Sequence, residues 1–458
     1  MPTKANIFQH ESALAFDRRH RAILQYNIGK YDTAVAKGKL RYRYYDEARR
    51  YASDIKTESL VNLADHLELF ESTITRRGAK VLWARDAREA MKYAAEILKK
   101  HSARSVVKSK SMITEEVHFN ESLEATGIEP VETDLGEFIV QVAGQKPYHI
   151  LTPAMHKSKE DVSRLFHEKF DTPQNSTPAE LAAFVRQRLR PQYAESEVGV
   201  TGANFIVADV GGIALTENEG NGLMSMSLPK VHLVFAGIER VIPGLEYLPF
   251  FWQWLSVHGT GQNISAYNSL LLGPRKEGET DGPEEMYVIL LDNGRTTLLE
   301  SDHAWEALRC IRCGACLNAC PVYRHIGGYT YNTTYTGPIG SVITPFLSGF
   351  SDFGHLSEAS TLCGKCTDVC PVKIPLHQLL LNNRRIKVSL GEQSVGWKLG
   401  IKGYAYLFGR RRRLDAIRGG LKKRLTPLAA GQLGNHREFP QFAHRSFSQQ
   451  WKSIHKTQ

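Results

Sequence analysis

All seven cysteines of this 458-residue chain fall in two short stretches, CIRCGACLNACP at residues 310–321 and STLCGKCTDVCP at residues 360–371. Cysteines gathered in this way, in a chain otherwise free of them, read as metal ligands in a reducing cytosol and not as a disulfide framework. Cys310, Cys313, Cys316 and Cys320 followed by Pro321 make C-x2-C-x2-C-x3-C-P. In that spacing a tight loop wraps three thiolates around one iron-sulfur cluster, and the fourth departs to ligate another. The second stretch keeps the register with Cys363, Cys366, Cys370 and Pro371, but Ser360 stands in its first place. Crossed ligation then assigns Cys310, Cys313, Cys316 and Cys370 to one 4Fe-4S cluster and leaves Cys320, Cys363 and Cys366 for a second. The second site has three open readings: a 3Fe-4S cluster, a 4Fe-4S cluster with Ser360, water or a substrate oxygen on the odd iron, or a ligand supplied by a partner. Structural zinc is the plain alternative for paired C-x2-C elements. Successive x2 gaps closed by x3-C-P in both halves favour iron-sulfur.

The cysteines fill only a fraction of the chain, so its length implies two or three domains. Residues 1–70 alternate charged and apolar positions at helical spacing and read as a helical N-terminal arm, either decoration or a partner-binding element. Residues 71–299 change texture to that of an α/β domain. AKVLWA reads as a strand, and Asp86 as the cap of a helix with Ala87, Ala90, Met91, Ala94, Ile97 and Leu98 on one face. SVVKSKS, HILTPAM, FIVADVGGIALT and KVHLVFAG read as further strands, with helices capped near Thr114, over Ser158 to Phe170, and over Thr177 to about Arg190. GPRKEGETDGPEE, residues 273–285, reads as a surface loop. Residues 300–385 hold the cysteine motifs, and the linker of 42 residues between Cys320 and Cys363 suits a helical module better than a compact ferredoxin hairpin. A basic helical tail, residues 386–458, completes the chain.

The net charge of +10 is concentrated in that tail: residues 401–458 carry 13 Lys and Arg against Asp415 and Glu438, a net of +11, which leaves −1 for the first 400. Arg410 to Arg413 and Lys422 to Arg424 lie among aromatics, a mixture that suits a membrane surface or an acidic subunit. Nucleic acid is not expected as a partner. No run is apolar enough to span a bilayer and the N-terminus has no secretory h-region. Nucleotide and flavin fingerprints are absent. In ADVGGIALTENEGNG, Ala208 to Gly222, amides freed by Gly211, Gly212, Gly220 and Gly222 offer an anion cradle, and Glu217 or Glu219 offers acid-base chemistry; a turn with solvated acids is the simpler account. Lys108 to Met112, KSKSM, reads as a solvated basic turn. Phe250, Phe251, Trp252 and Trp254 read as core.

The order GVTGANFIVADVGGIAL, LPKVHLVFAGIERVIP, CIRCGACLNACPVYRHIGGYTY, YTGPIGSVITPFL, LCGKCTDVCPVKI resembles the iron-sulfur B proteins of bacterial three-component L-lactate utilisation systems, from about residue 60 onward. The resemblance implies a lactate-utilisation domain like the sugar-isomerase and CoA-transferase group, followed by an α-helical two-cluster ferredoxin module. It carries the seven cysteines over as cluster ligands, and since the family also lacks the first cysteine of the second motif, Ser360 is no departure. It implies an electron-transfer subunit that, with two other subunits, oxidises L-lactate to pyruvate and passes electrons to an acceptor, a quinone at the membrane among the candidates. The expected location is the cytoplasm, with peripheral contact at the inner face of the membrane. Two alternatives stay open: the chain is itself the dehydrogenase for lactate or another 2-hydroxy acid such as glycolate, or it is a redox-sensing or scaffold protein. No catalytic residue is assigned.

Overall fold

The computed structural model describes residues 3–391, 395–416 and 443–455. Residues 1–387 form one compact unit and residues 388–458 a second. The strands are β1 (Lys80–Ala84), β2 (Ser105–Lys108), β3 (Glu129–Glu132), β4 (Val198–Thr201), β5 (Phe205–Val207), β6 (Gly212–Glu217), β7 (Val231–Gly237), β8 (Val241–Ile242), β9 (Tyr267–Leu271) and β10 (Glu285–Leu291). Six of them make a wholly parallel sheet in the order β1-β10-β7-β4-β2-β3. Its central strand β7 is buried at every position, as expected of a parallel sheet covered on both faces. A smaller mixed sheet, β8-β5-β6-β9, packs beside it.

Local chemistry accounts for most of the helices. Asp86 accepts the amide of Glu89 and starts Ala87–Lys100, while Ser158 and Thr177 each form a reciprocal capping box with the acid three residues on. The helix after Thr177 runs on to Glu195 through Pro191, beyond the expected end near Arg190. Ser111, not Thr114, precedes the short helix Met112–Glu116, and the Thr114 hydroxyl donates to the Ser111 carbonyl within it.

Three readings are corrected. HILTPAM is not a strand. His149 Nδ1 accepts the amides of Leu151 and Thr152 at 3.1 and 3.3 Å, and the segment turns to pack Ile150 and Leu151 against the first cysteine loop. KSKSM is not a solvated turn: Lys108 is wholly buried, with Nζ 2.7 Å from Glu132 and 3.0 Å from Glu115. The N-terminal segment does not stand off as an arm. Helix Arg18–Lys39 buries Leu24 and Ile28, and helix Tyr45–Val61 places Ala52, Ile55 and Leu60 in the same core as the cysteines.

Of the four aromatics read as core, Phe251 and Trp254 are fully buried, while Phe250 and Trp252 are half-buried against the same core. In the second unit, helices Val395–Phe408, Arg411–Ala416 and Phe447–Ile454 are described, whereas Lys422 to Arg424 lie outside the described residues. No helix among the described residues is long and apolar enough to cross a membrane.

His149, His232 and His258 are almost completely enclosed, and burial pushes each imidazole down to about 3. The unfolded chain therefore binds more protons than the folded one between about pH 6.5 and 3, and stability is lost as pH falls through that window. Each group contributes a slope of up to about 1.4 kcal/mol per pH unit. In urea titrations between pH 6.5 and 5, His232→Gln is expected to show a shallower loss than the parent chain; parallel curves would rule out a neutral buried imidazole at 232.

Candidate metal centres and an adjoining cavity

The two cysteine loops have matching backbones. Arg312 and Leu362, each just before a C-x2-C partner, sit at φ 60° and 53°, and Gly314 and Gly364 follow at 74° and 83°. These are left-handed conformations that a glycine adopts freely and an arginine or leucine adopts at a cost. In the first loop the Arg312 amide donates to Cys310 Sγ at 3.3 Å; in the second the Leu362 amide donates to Ser360 Oγ at 3.1 Å. The serine oxygen thus stands where its counterpart sulfur stands.

Cys310, Cys313, Cys316 and Cys370 surround one small cavity, so a residue of the second motif joins three of the first. Cys320, Cys363 and Cys366 surround another, together with Ser360. Helices Ala315–Ala319 and Lys365–Asp368 connect the sets: Cys316 and Cys320, like Cys366 and Cys370, are four residues apart and face different cavities. Each such pair ties the two cavities together through about one turn of chain. The first set is the more enclosed, while Cys363 of the second is exposed.

The donor chemistry fits iron-sulfur clusters. Burial, reinforced by neighbouring thiols, pushes Cys366 up to about 12 and Cys370 up to about 11, and raises Cys313, Cys316 and Cys320 as well. Buried thiols of this kind ionise only with positive charge among them, which iron would supply. The Ile374 amide donates to Cys370 Sγ at 3.4 Å, matching the amide on Cys310. Among the described residues no three Cys, His, Asp or Glu side chains converge as they would on a single metal ion.

The second Cys-Pro corner is clamped from distant parts of the chain. Arg49 donates to the Cys370 carbonyl at 3.0 and 2.9 Å, and Trp254 Nε1 donates to the Pro371 carbonyl at 3.1 Å. The tryptophan of PFFWQWLSVHG therefore holds the cysteine module as well as filling the core.

A cavity of about 420 Å³ opens at the carboxyl ends of the parallel strands, where α/β sheets commonly bind ligands. Residues following β2, β3, β4, β7 and β10 line it, and Arg312 and Tyr335 close it from the cysteine module. Arg240, Arg295 and Arg312 gather there around Glu239, with Arg295 Nε 2.6 Å and an Arg312 nitrogen 3.3 Å from its carboxylate. Burial opposes ionisation of Glu239, but Arg295, Arg240 and Arg312 outweigh it and hold the carboxyl down to about 2. Arg295 also pairs with Glu116, which accepts from the Tyr335 hydroxyl at 2.6 Å.

Glu217, Glu219 and Lys110, singled out in the sequence, line this cavity as well. Glu217 accepts the amides of Gly222 and Leu223, both at 2.7 Å, so that part of the expected anion cradle is filled by the protein's own carboxylate. Glu219 lies at the mouth, where surrounding protein first and Asp134 second push its carboxyl up to about 7, so it can exchange a proton near neutrality. Arg240, Arg295, Glu239 and Glu116 had no motif to mark them. Arg312 had one weak signal, a positive charge between two cluster cysteines.

Residues 67–291 match the family model of the LUD domain and residues 306–374 that of a 4Fe-4S dicluster domain. The chain is 44% identical over 362 residues to lactate utilization protein B of Lysinibacillus sphaericus, covering 79% of this chain and 76% of that protein. It is equally identical over 363 residues to the protein of the same name from Macrococcus caseolyticus, with the same coverages. A crystal structure of a DUF162 family protein from Deinococcus radiodurans is 14% identical and covers 50% of this chain and 98% of that one, at a TM-score of 0.29.

Proposed function

The chain belongs to the lactate utilization protein B family, and from that premise we propose that it is the iron-sulfur electron-transfer subunit of a complex oxidising L-lactate to pyruvate. The observation that carries the reading is the order of the two thiol sets: an enclosed one beside the cavity and another with Cys363 at the surface. Cys310, Cys313, Cys316 and Cys370 would hold a 4Fe-4S cluster, and Cys320, Cys363 and Cys366 a second cluster. Such clusters, when bound, take up and release electrons singly. Lactate oxidation releases two electrons and two protons, so a hydride or two-electron acceptor has to precede single-electron carriers. That acceptor is assigned to the two other lactate-utilisation subunits.

The chain's own residues shape the route. Arg312 and Tyr335 form the wall between the cavity and the first cysteine loop, and backbone amides on Cys310 and Cys370 stabilise charge on their sulfurs. The basic tail is assigned to contact with an anionic membrane surface. Support comes from helix Val395–Phe408, which exposes Leu399, Tyr404, Tyr406 and Phe408, and from Arg413 over the Tyr406 ring at 3.8 Å.

The test is anaerobic reduction followed by visible absorption and EPR. Dithionite is expected to reduce the isolated chain, L-lactate alone to leave it oxidised, and L-lactate with both partner subunits to reduce it. Reduction by lactate without partners would make this chain the dehydrogenase. Failure to reduce in the full mixture would remove it from the electron path.

A further inference from the structure

At the arginine end of the large cavity, Arg240, Arg295 and Arg312 face Glu239 and Glu116, three guanidinium groups against two carboxylates, with the Cys310 thiol the next acidic group acting on Arg312. Arg295 is saturated, with both acids on its fork. Arg312 is not. Its side chain is only 7% exposed, and although one nitrogen reaches Glu239, Nε and the other terminal nitrogen have no partner. Buried donors left this way are rare unless something binds them. The Arg312 guanidinium lies over the Tyr335 ring, 4.6 Å from its centroid. Arg312 lines both the thiol cavity and the large one, whereas its neighbours Glu239 and Tyr335 line the large cavity. Arg240 comes no nearer to a carboxylate than 3.9 Å. Ser111 lines the same cavity, and its Oγ is also buried without a partner.

We propose that this cavity binds a small 2-hydroxy or 2-oxo monocarboxylate, with its carboxylate on Arg312 and Arg240 and its 2-oxygen on Ser111. A planar carboxylate matches a guanidinium fork. A hydroxyl can donate to or accept from a hydroxyl or ketone oxygen, so both redox states of such an acid fit. The cavity volume lies within the usual range for small-molecule sites, about 300–1,000 Å³, and leaves room beside a three-carbon acid toward Glu217 and Glu219. The acid is then held against the wall of the first cysteine loop. Only the identification of the acid as lactate rests on the function proposed above; the site rests on the side chains.

The experiment is anaerobic calorimetry on the full chain with its iron and sulfide counted, using L-lactate, pyruvate, glycolate and propionate as probes. Lactate and pyruvate are expected to bind saturably, and propionate, which lacks the 2-oxygen, at least about fivefold more weakly. Arg312→Lys and Arg240→Lys keep the charge but lose the fork, and each is expected to weaken lactate by about tenfold or more. Ser111→Ala is expected to erase the preference for lactate over propionate while leaving propionate unchanged, which a merely structural serine would not do. Lactate binding that none of the three variants alters would place the acid elsewhere and overturn the site. So would arginine variants that alter only the EPR spectrum, since these side chains would then serve the cluster's charge. Arginine-dependent binding of glycolate but not lactate would uphold the site and overturn the lactate reading. No binding of any acid to the loaded chain would overturn the proposal.

Discussion

Replacing Cys370 with alanine is expected to abolish the cluster whose other three thiols lie some fifty residues earlier, and to remove about half of the bound iron. In a reading by sequence order, Cys370 belongs with Cys363 and Cys366. In space it shares a cavity with Cys310, Cys313 and Cys316, and Cys310 is the thiol whose charge acts on it, opposed by Arg49. Cys320→Ala is the mirror experiment: it lies in the first motif but faces the cavity of Cys363 and Cys366. Iron and sulfide counts with EPR of the reduced chain separate the two orders. If Cys370→Ala leaves the cluster of the first motif intact and Cys320→Ala destroys it, ligation is sequential and the crossed assignment fails. The change should be large because a four-thiol site that loses one buried ligand cannot recruit another cysteine: all seven are already distributed between the two cavities. Arg49 and Trp254 would still clamp the corner through the carbonyls of Cys370 and Pro371, so the loop is expected to keep its place when the thiol is gone.

What could be read in the sequence was chemistry that depends on near neighbours. The cysteine spacings state their own geometry, and Asp86, Ser158 and Thr177 cap the helices that follow because a cap needs only the next three residues. The alternating β-rich runs from Phe205 to Gly237 became β5, β6 and β7 for the same reason. What could not be read depends on partners far along the chain. HILTPAM has the apolar pattern of a strand, but its neighbour Tyr148 is fully buried against His156 and Tyr329, and the Tyr148 hydroxyl meets His20. Those contacts fix a turn that no local pattern announces. Lys108 looked like a solvated charge because Glu132, the acid that neutralises it, lies on the adjacent strand. The arginine end of the cavity is harder still, since Glu116, Glu239, Arg295 and Arg312 come from four segments brought together only by the finished sheet and the cysteine module. Ser360 was identified as the missing position, but only the backbone shows how closely it replaces a cysteine.

That equivalence gives Ser360→Cys a large expected effect. The amide of Leu362 already bonds to Ser360 Oγ as the Arg312 amide bonds to Cys310 Sγ, and the positive φ angles repeat at the same places. A new sulfur would therefore enter the second cavity without remodelling the loop. Arg384 also holds the Ser360 carbonyl at 2.8 Å, which fixes the start of the loop independently of the side chain. Serine is a poor substitute as a ligand because its hydroxyl resists ionisation and is occupied by the amide, whereas exposed Cys363 shows that solvent reaches this side of the cavity. The second centre is accordingly expected to have one corner without a thiolate. If the parent chain holds 3Fe-4S, its oxidised-state EPR signal should vanish in Ser360→Cys and iron should rise by about one per chain. If it holds 4Fe-4S with a non-cysteine corner, the iron count should stay constant, one chelator-labile iron should become protected, and the reduction potential should move with the change of ligand. Ser360→Ala separates position from ligation: an unchanged spectrum there beside a changed one in Ser360→Cys means that the serine marks the corner without binding it. Identical spectra and iron counts in all three chains would put residue 360 away from the cluster, and the missing ligand would then have to come from a partner.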